Sequence, residues 1–302
     1  MEIIQDLLRA FFGWNTITSP LYLVAFAAVA WVIYLLRGVT GGFIAFLLPK
    51  DIWSHKSTRL DIILFIMGGL ISGFGLIARF SAAPAFAIWI SARLPWPPFE
   101  GVSLSPVLLA VIFWVVNDFG VYWVHRIHHQ MRILWPFHAV HHSAEVMTPI
   151  TAYRQHPLGL LIIVSIQSCI MGVVLGVIVG TLDPQAATAE IIGINAFAVI
   201  AVIAMANFHH SHIWISFGPI VERLIISPAQ HQIHHSTNPA HYNRNYGGTL
   251  AIWDWVFGTL YLTGDTEVIT LGLTEKGDAP LMTHRLDLIL IDPVIRALGA
   301  GR

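Results

Sequence analysis

The chain has 302 residues, 56% of them hydrophobic and only 11% charged, with a formal net charge of −1. Ordinary soluble domains carry roughly 25% charged residues, so this composition excludes a water-covered globule of its size and reads as an integral membrane protein. The near-zero charge excludes a nucleic-acid footprint, and the single cysteine, Cys169, excludes an intramolecular disulfide and makes a thiolate metal site untenable.

The first element is a short amphipathic helix. Ile3, Ile4, Leu7, Leu8, Phe11 and Phe12 recur at helical spacing, as in a helix lying on a membrane surface, and no basic signal-peptide start precedes them. Five apolar segments follow, each near the roughly 20 residues a bilayer demands: 20–36, 60–78, 105–124, 157–180 and 186–208. Residues 82–98 are apolar but short and broken by prolines, which reads as an interfacial or re-entrant piece. The last two spans form a tight hairpin around Asp183 and Pro184. The glycine-rich GLISGFG at 69–75 lies inside a spanning run with no strand before it, so it is no dinucleotide fingerprint. The fold class expected is all-α: a membrane bundle of four to five spans with a cytosolic helical cap. The chain divides into an anchor (1–104), a histidine-bearing domain (105–263) that contains the membrane hairpin 157–208, and a cytosolic tail (264–302).

Thirteen of the sixteen Lys and Arg residues fall in the 37–59 loop, in 125–156 and after 208. Five spans put all three regions on one face, which the positive-inside rule makes cytoplasmic. Compact loops and the lack of a leader point to a bacterial inner membrane.

Histidine stands out: sixteen, as many as Lys and Arg together. HRIHH carries His125 and His129, HAVHH carries His138, His141 and His142, and HQIHH carries His231, His234 and His235. Residues at i, i+3 and i+4 share one helix face, so each box aims two or three imidazoles at one point. Because the hairpin leaves and returns, boxes some seventy residues apart emerge on the same face and can meet. Neutral imidazole suits Zn, Fe, Cu and Ni and adds no negative charge. Asp118, one heptad before His125, is a candidate to orient that ring. His156 in YRQHP and His209, His210 and His212 in FHHSH stand nearby, with one or two of the last three able to serve as ligands; His128 and His241 are evenly balanced between ligand and structural roles. His55 and His284 read as ordinary hydrogen-bonded residues.

HRIHHQMRILWPFHAVHHS, YRQHPLG, FHHSHIW and SPAQHQIHHSTNPAHYNRNYGGTLAIWDWVFGTLY, in that order across roughly 105–263, resemble the membrane fatty acid hydroxylase and sterol desaturase superfamily. That resemblance implies a di-iron, O2-dependent enzyme that oxidises an aliphatic C–H bond of a membrane lipid, giving an alcohol or an alkene. It implies metal ligation by His125, His129, His138, His141, His142, His231, His234 and His235, with His156 and His210 as further ligands. His212 is a ligand or water-holding residue, and Asn245, Gly247, Trp253 and Asp254 support the third box. Zinc is a ready stand-in for iron in such a site. No haem module, flavin or nicotinamide fingerprint or cysteine cluster accompanies the boxes, so a separate reductase, ferredoxin or cytochrome supplies the electrons. The run Val111 to Val116 reads mainly as packing surface, with a share in a substrate channel. Two other classes compete. A zinc hydrolase would carry a Glu within its motif, and no box has one. A metal transporter would hold its ligands near the bilayer midplane, whereas these boxes lie at span ends.

Overall fold

A computed structural model describes residues 2–13, 16–76, 83–94, 105–181 and 206–299. Its principal helices are α1 (Glu2–Phe12), α2 (Pro20–Leu36), α3 (Lys56–Gly73), α4 (Ala83–Ser91), α5 (Pro106–Gln130), α6 (Trp135–His142), α7 (Pro157–Thr181), α8 (Pro228–His234) and α9 (Leu286–Ala297). Among the described residues there is no strand, only two isolated antiparallel bridges, Ile225 with Leu250 and Ser236 with Leu271.

Among the described residues, two of the five expected spans are helices long and apolar enough to cross a membrane, Val107–Gln130 and Pro157–Ile178. At 1.5 Å per residue each reaches roughly 33–36 Å, enough for a hydrocarbon core of roughly 30 Å. The helix at 20–36 has 17 residues. The expected span at 60–78 begins earlier, at Lys56. It carries Asp61 in a fully buried ion pair with Arg154, so its first turns are protein interior. Almost all of 186–208, and the Asp183–Pro184 turn, lie outside the described residues.

Prolines start the long helices where a missing N–H costs nothing. Pro106 follows the Ser105 cap, whose hydroxyl accepts from the Leu108 N–H at 3.2 Å. α5 and α7 pack side by side, and Gln167 of α7 donates from Nε2 to the Asn117 carbonyl and side-chain oxygens, both at 2.9 Å. The apolar segment after 82 forms α4, packed along α7. That approach depends on a glycine stripe: a Cβ at Gly172 would stand 2.6 Å from the Ala83 carbonyl, and one at Gly176 2.7 Å from the Ala87 carbonyl.

α1 is helical as its spacing predicts. Leu7 and Phe11 lie against Gly73 and Gly69 of α3, while Ile3, Ile4, Leu8 and Phe12 remain exposed. Three apolar clusters frame the histidines. Leu60 and Leu64 of α3 meet Ala139 and Val140 of α6 and Leu281 and Ile289 near the C-terminus. Phe26 and Ala30 of α2 meet Phe208 and Ile213. Leu109 and Phe113 of α5 meet Ile178 of α7. Short α6 packs against α3 and α9 through the first of these clusters, and short α8 packs against the turn at Asn207–His209.

Candidate metal centre

The last turns of α5 bring His125 and His129 onto one face. α6 has Pro136 in its first turn and is buried throughout its last seven residues. α8 begins with a reciprocal cap: Ser227 Oγ accepts from the Gln230 N–H at 3.1 Å, and Gln230 Oε1 accepts from the Ser227 N–H at 3.0 Å. These starts fix where each box points.

The histidines gather in two groups, each with ligand atoms within 4.8 Å of one another: His125, His129, His138, His142 and His234 in one, His141, His210, His231 and His235 in the other. In α6 the i, i+4 pair His138 and His142 joins the first group and His141 the second. In α8 the assignment is reversed: His231 and His235 join the second group and His234 the first. The groups touch where His142 and His235 stack, centroids 4.3 Å apart and planes at 23°.

Nε2 atoms of neighbouring rings stand 3.1 Å apart for His125 and His138, 3.2 Å for His138 and His142, 3.1 Å for His141 and His210, and 3.0 Å for His210 and His231. Nitrogens bound at roughly 2.1 Å to one first-row ion stand roughly 3.0–3.4 Å from each other. Ring nitrogens of His129, His234 and His235 are buried without a hydrogen-bond partner, a costly state unless a cation takes the lone pairs. The donor set therefore fits a pair of N-liganded transition-metal ions.

Two backbone carbonyls set the tautomers. His125 Nδ1–H donates to the Tyr246 carbonyl at 2.8 Å and His234 Nδ1–H to the Arg244 carbonyl at 2.7 Å. Each bond leaves Nε2 as the lone-pair atom facing the group. Burial keeps the rings neutral. Desolvation first, then repulsion from the other imidazoles, holds His138, His142, His210, His231 and His235 well below the ordinary histidine value. Burial lowers His141 to about 3 and His234 to about 4.

Several histidines and one carboxylate sit elsewhere than expected. His156 is in neither group. Its Nδ1 accepts from the Leu158 N–H at 3.1 Å and its Nε2–H donates to the Leu290 carbonyl at 3.1 Å, so both nitrogens are spent joining the start of α7 to α9. His212 faces away, donating from Nε2 to the Phe46 carbonyl at 2.7 Å. His209 stacks behind His231 at 5.2 Å, His128 donates to the Val124 carbonyl at 2.6 Å, and His241 lies 3.8 Å from Glu267; none joins a group. Asp118 does not reach His125. It accepts from the Thr249 and Leu250 N–H groups at 2.9 and 3.1 Å and from the Trp253 indole at 3.0 Å, and so organises the chain after the third box. Asn245, at φ +55°, ties that box down: its Nδ2 donates to the Gln230 carbonyl at 3.1 Å and its Oδ1 accepts from the Tyr261 N–H at 2.8 Å. Asp254 accepts from the Tyr246 and Gly247 N–H groups at 2.8 and 2.7 Å. A Cβ at Gly247 would come within 2.9 Å of that carboxylate, so glycine is required there.

Two residues with no role assigned from the sequence prove central to the frame. Arg154 is fully buried. It pairs with Asp61 at 2.6 Å, donates from Nε to the Val140 carbonyl at 2.9 Å, and donates from Nη2 to Ser143 Oγ and His284 Nδ1, both at 2.8 Å. It thus closes the C-terminal end of α6 between α3 and the tail. Glu222, also fully buried, accepts from Ser227 Oγ at 2.7 Å and from Thr263 N–H and Oγ at 2.8 and 2.6 Å, and so fixes the start of α8. Both lay in the sequence as charges beside apolar runs, which need partners when buried.

Residues 110–259 match the fatty acid hydroxylase family model. The chain is 31% identical over 228 residues to alkylglycerol monooxygenase of Xenopus tropicalis, covering 74% of this chain and 45% of that protein. It is 30% identical over 181 residues to ornithine lipid hydroxylase OlsE of Rhizobium tropici, covering 60% and 49%. It is 26% identical over 248 residues to a Delta(7)-sterol-C5(6)-desaturase of Nicotiana tabacum, covering 74% and 82%. The chain spans about half the length of the first two of these relatives. No solved structure matches it. Among the described residues, two helices long and apolar enough to cross a membrane, two adjoining sets of largely buried histidines and this pattern of similarity define a membrane-associated histidine-box protein. The chain belongs to the fatty acid hydroxylase family.

Proposed function

We propose that this chain is an O2-dependent lipid oxidase that inserts oxygen into, or desaturates, an aliphatic position of a membrane lipid. One observation carries the reading: nine imidazoles, seven buried and two (His125 and His129) half-buried, form two adjoining sets of five and four with no carboxylate in either. Two irons, when bound, supply the redox chemistry that side-chain acids and bases cannot. His125, His129, His138, His142 and His234 would hold one; His141, His210, His231 and His235 would hold the other. No carboxylate belongs to either set and no box carries the Glu of a zinc-hydrolase motif, which favours oxidation over hydrolysis.

The balance for hydroxylation is one C–H bond, one O2, two electrons and two protons giving an alcohol and one water. For desaturation the same inputs remove two hydrogens and give an alkene and two waters. The protein's part is to hold neutral ligands in fixed tautomers, through the Tyr246 and Arg244 carbonyls, and to keep the site closed by the packing of α3, α6 and α9. A separate reductase, ferredoxin or cytochrome delivers the electrons.

α5 and α7 cross the membrane with their box ends on the cytoplasmic face, where most of the Lys and Arg residues fall. α1 lies on that membrane's surface with Ile3, Ile4, Leu8 and Phe12 in the lipid. Residues 105–263 act as the catalytic unit, with 1–104 as anchor and 264–302 as a tail folded over the site. Alkylglycerols, ornithine lipids and sterols, named by the relatives, are the substrates to try first.

The deciding measurement uses iron-loaded protein with a chemical reductant and a bacterial lipid extract. Reductant-dependent O2 uptake together with a lipid gaining one oxygen or losing two hydrogens, read by mass spectrometry, is the expected result. Iron-replete protein that consumes no O2 with any lipid sinks the reading.

A further inference from the structure

We propose that the two stretches flanking the third histidine box, 218–226 and 249–257, form an apolar shelf sunk into the box-side leaflet of the membrane, with lipid acyl chains as its partner. This rests on the reading above that α5 and α7 cross the bilayer. It assigns a lipid contact to the part of the chain that carries His231, His234 and His235.

The exposed side chains of the shelf are Ile220, Val221, Leu224, Ile225, Trp255 and Val256, with Ile220 at 77% and Val256 at 67% of full exposure. The two stretches are laced together. The Ile226 N–H donates to the Thr249 carbonyl at 2.9 Å and the Ala251 N–H to the Leu224 carbonyl at 3.0 Å. A continuous set of large apolar groups is costly in water and marks a contact surface.

Depth decides what covers it. Asp118 receives the Thr249 and Leu250 N–H groups and the Trp253 indole, so the second stretch lies beside the middle of α5. From there it climbs α5 toward the box. Trp253 meets Phe119 edge-on at 5.0 Å, Phe257 meets Trp123 at 5.1 Å, and the Phe257 carbonyl accepts from Arg126 Nη1 at 3.5 Å. Asp118 stands twelve residues before the end of α5 at Gln130, roughly 18 Å from it at 1.5 Å per residue. The neighbouring span agrees. Asn117 is bonded to Gln167, ten residues into α7 from Pro157, roughly 15 Å from that end. Each of the two helices has 25 residues, roughly 37 Å, and exceeds a hydrocarbon core of roughly 30 Å by about 7 Å. Were all of that excess on the box side, the Asp118 level would still lie roughly 8 Å inside the hydrocarbon. Arg126 marks the interface, its guanidinium 5.3 Å from the Trp123 ring. The shelf therefore occupies the depth between a buried carboxylate and an interfacial arginine.

The backbone is closed as that depth requires. Irregular chain survives in hydrocarbon only where its polar groups are satisfied internally. The N–H groups from Glu222 to Ile226 and from Thr249 to Ala251 all donate within the protein: the first five to the carbonyls of Gly218, Ile220, Val221 and Thr249, the last three to Asp118 and the Leu224 carbonyl. On a loop in water the solvent would take such groups; here the chain does so itself, and Asp118 supplies two of the acceptors. α8 starts at the shelf's edge, with Ser227 capping it directly after Ile226, so the immersed shelf sets the third box at the membrane surface.

The test uses full-length protein in lipid nanodiscs, with Cys169→Ser and one new cysteine at a time, labelled with a polarity-sensitive fluorophore. Ile220→Cys and Val256→Cys probe the shelf, Leu108→Cys probes the exposed face of α5, and Val268→Cys probes a fully exposed apolar position outside the shelf. The expected result is blue-shifted emission at 220 and 256, quenched by lipids carrying a nitroxide on the acyl chain and spared by iodide in the buffer, as at 108, with the reverse at 268. Iodide quenching at 220 and 256 with 108 still in lipid overturns the shelf and leaves the spans standing. Protection from both quenchers means that another protein surface covers the patch, and overturns a lipid partner. Iodide reaching 108 as well overturns the crossing of α5 and the shelf together.

Discussion

At the residue scale, the division of labour among adjacent histidines is the main finding. His141 and His142 are neighbours in sequence, yet successive helical residues point about 100° apart, and they serve different groups. His141→Ala should lower bound iron from two ions per chain to one or fewer and cut turnover by more than about a hundredfold, since a metal ligand is lost outright. His156→Ala, by contrast, should keep both ions, because its ring only bridges α7 and α9; elemental analysis of the purified variants separates the cases. The histidines also set a pH dependence. Burial holds His141 at about 3 and His234 at about 4 in the folded chain, against an unfolded value near 6.5. Below that value the unfolded chain takes up protons that the folded chain refuses. The stability of the metal-free protein is therefore intact above pH about 6.5 and is lost as pH falls toward 4. The thermal unfolding midpoint of chelated protein should fall by roughly 2 °C per pH unit for each such histidine across that window. A flat midpoint down to pH about 5 would contradict the buried, neutral assignment.

At the element scale, α6 and α8 are too short to stand alone and depend on the charges that brace them. Arg154→Gln leaves Asp61 buried without a counter-ion and should destabilise by about 3–5 kcal/mol. Adding Asp61→Asn should recover part of the loss. Denaturant unfolding of the single and double variants measures the coupling, and simple additivity would show that the pair does not brace α6. The boxes, the α1 helix and the two long spans could be read from spacing and hydropathy, because periodicity reports which side chains share a face. The partition of the histidines could not, nor could the job of Arg154, since both depend on how separate helices dock. Asp118 shows the limit well: its heptad spacing from His125 was a sound helical argument. The chain after the third box nevertheless offers Asp118 two N–H groups and an indole, better partners for a buried carboxylate than a ring whose Nδ1 already has the Tyr246 carbonyl.

At the scale of the whole molecule, the two groups draw on separate stretches of the chain, 125–142, His210 and 231–235. α3 and the tail hold α6, and the segment around 222–263 holds α8. The crossed use of α6 and α8 then bears on how the protein acquires its metals. Neither coordination sphere can be completed by one of these helices, so seating the first ion docks both and thereby prepares the second sphere. Filling should be cooperative: native mass spectrometry during a substoichiometric iron titration should find chains carrying none or two, with few carrying one.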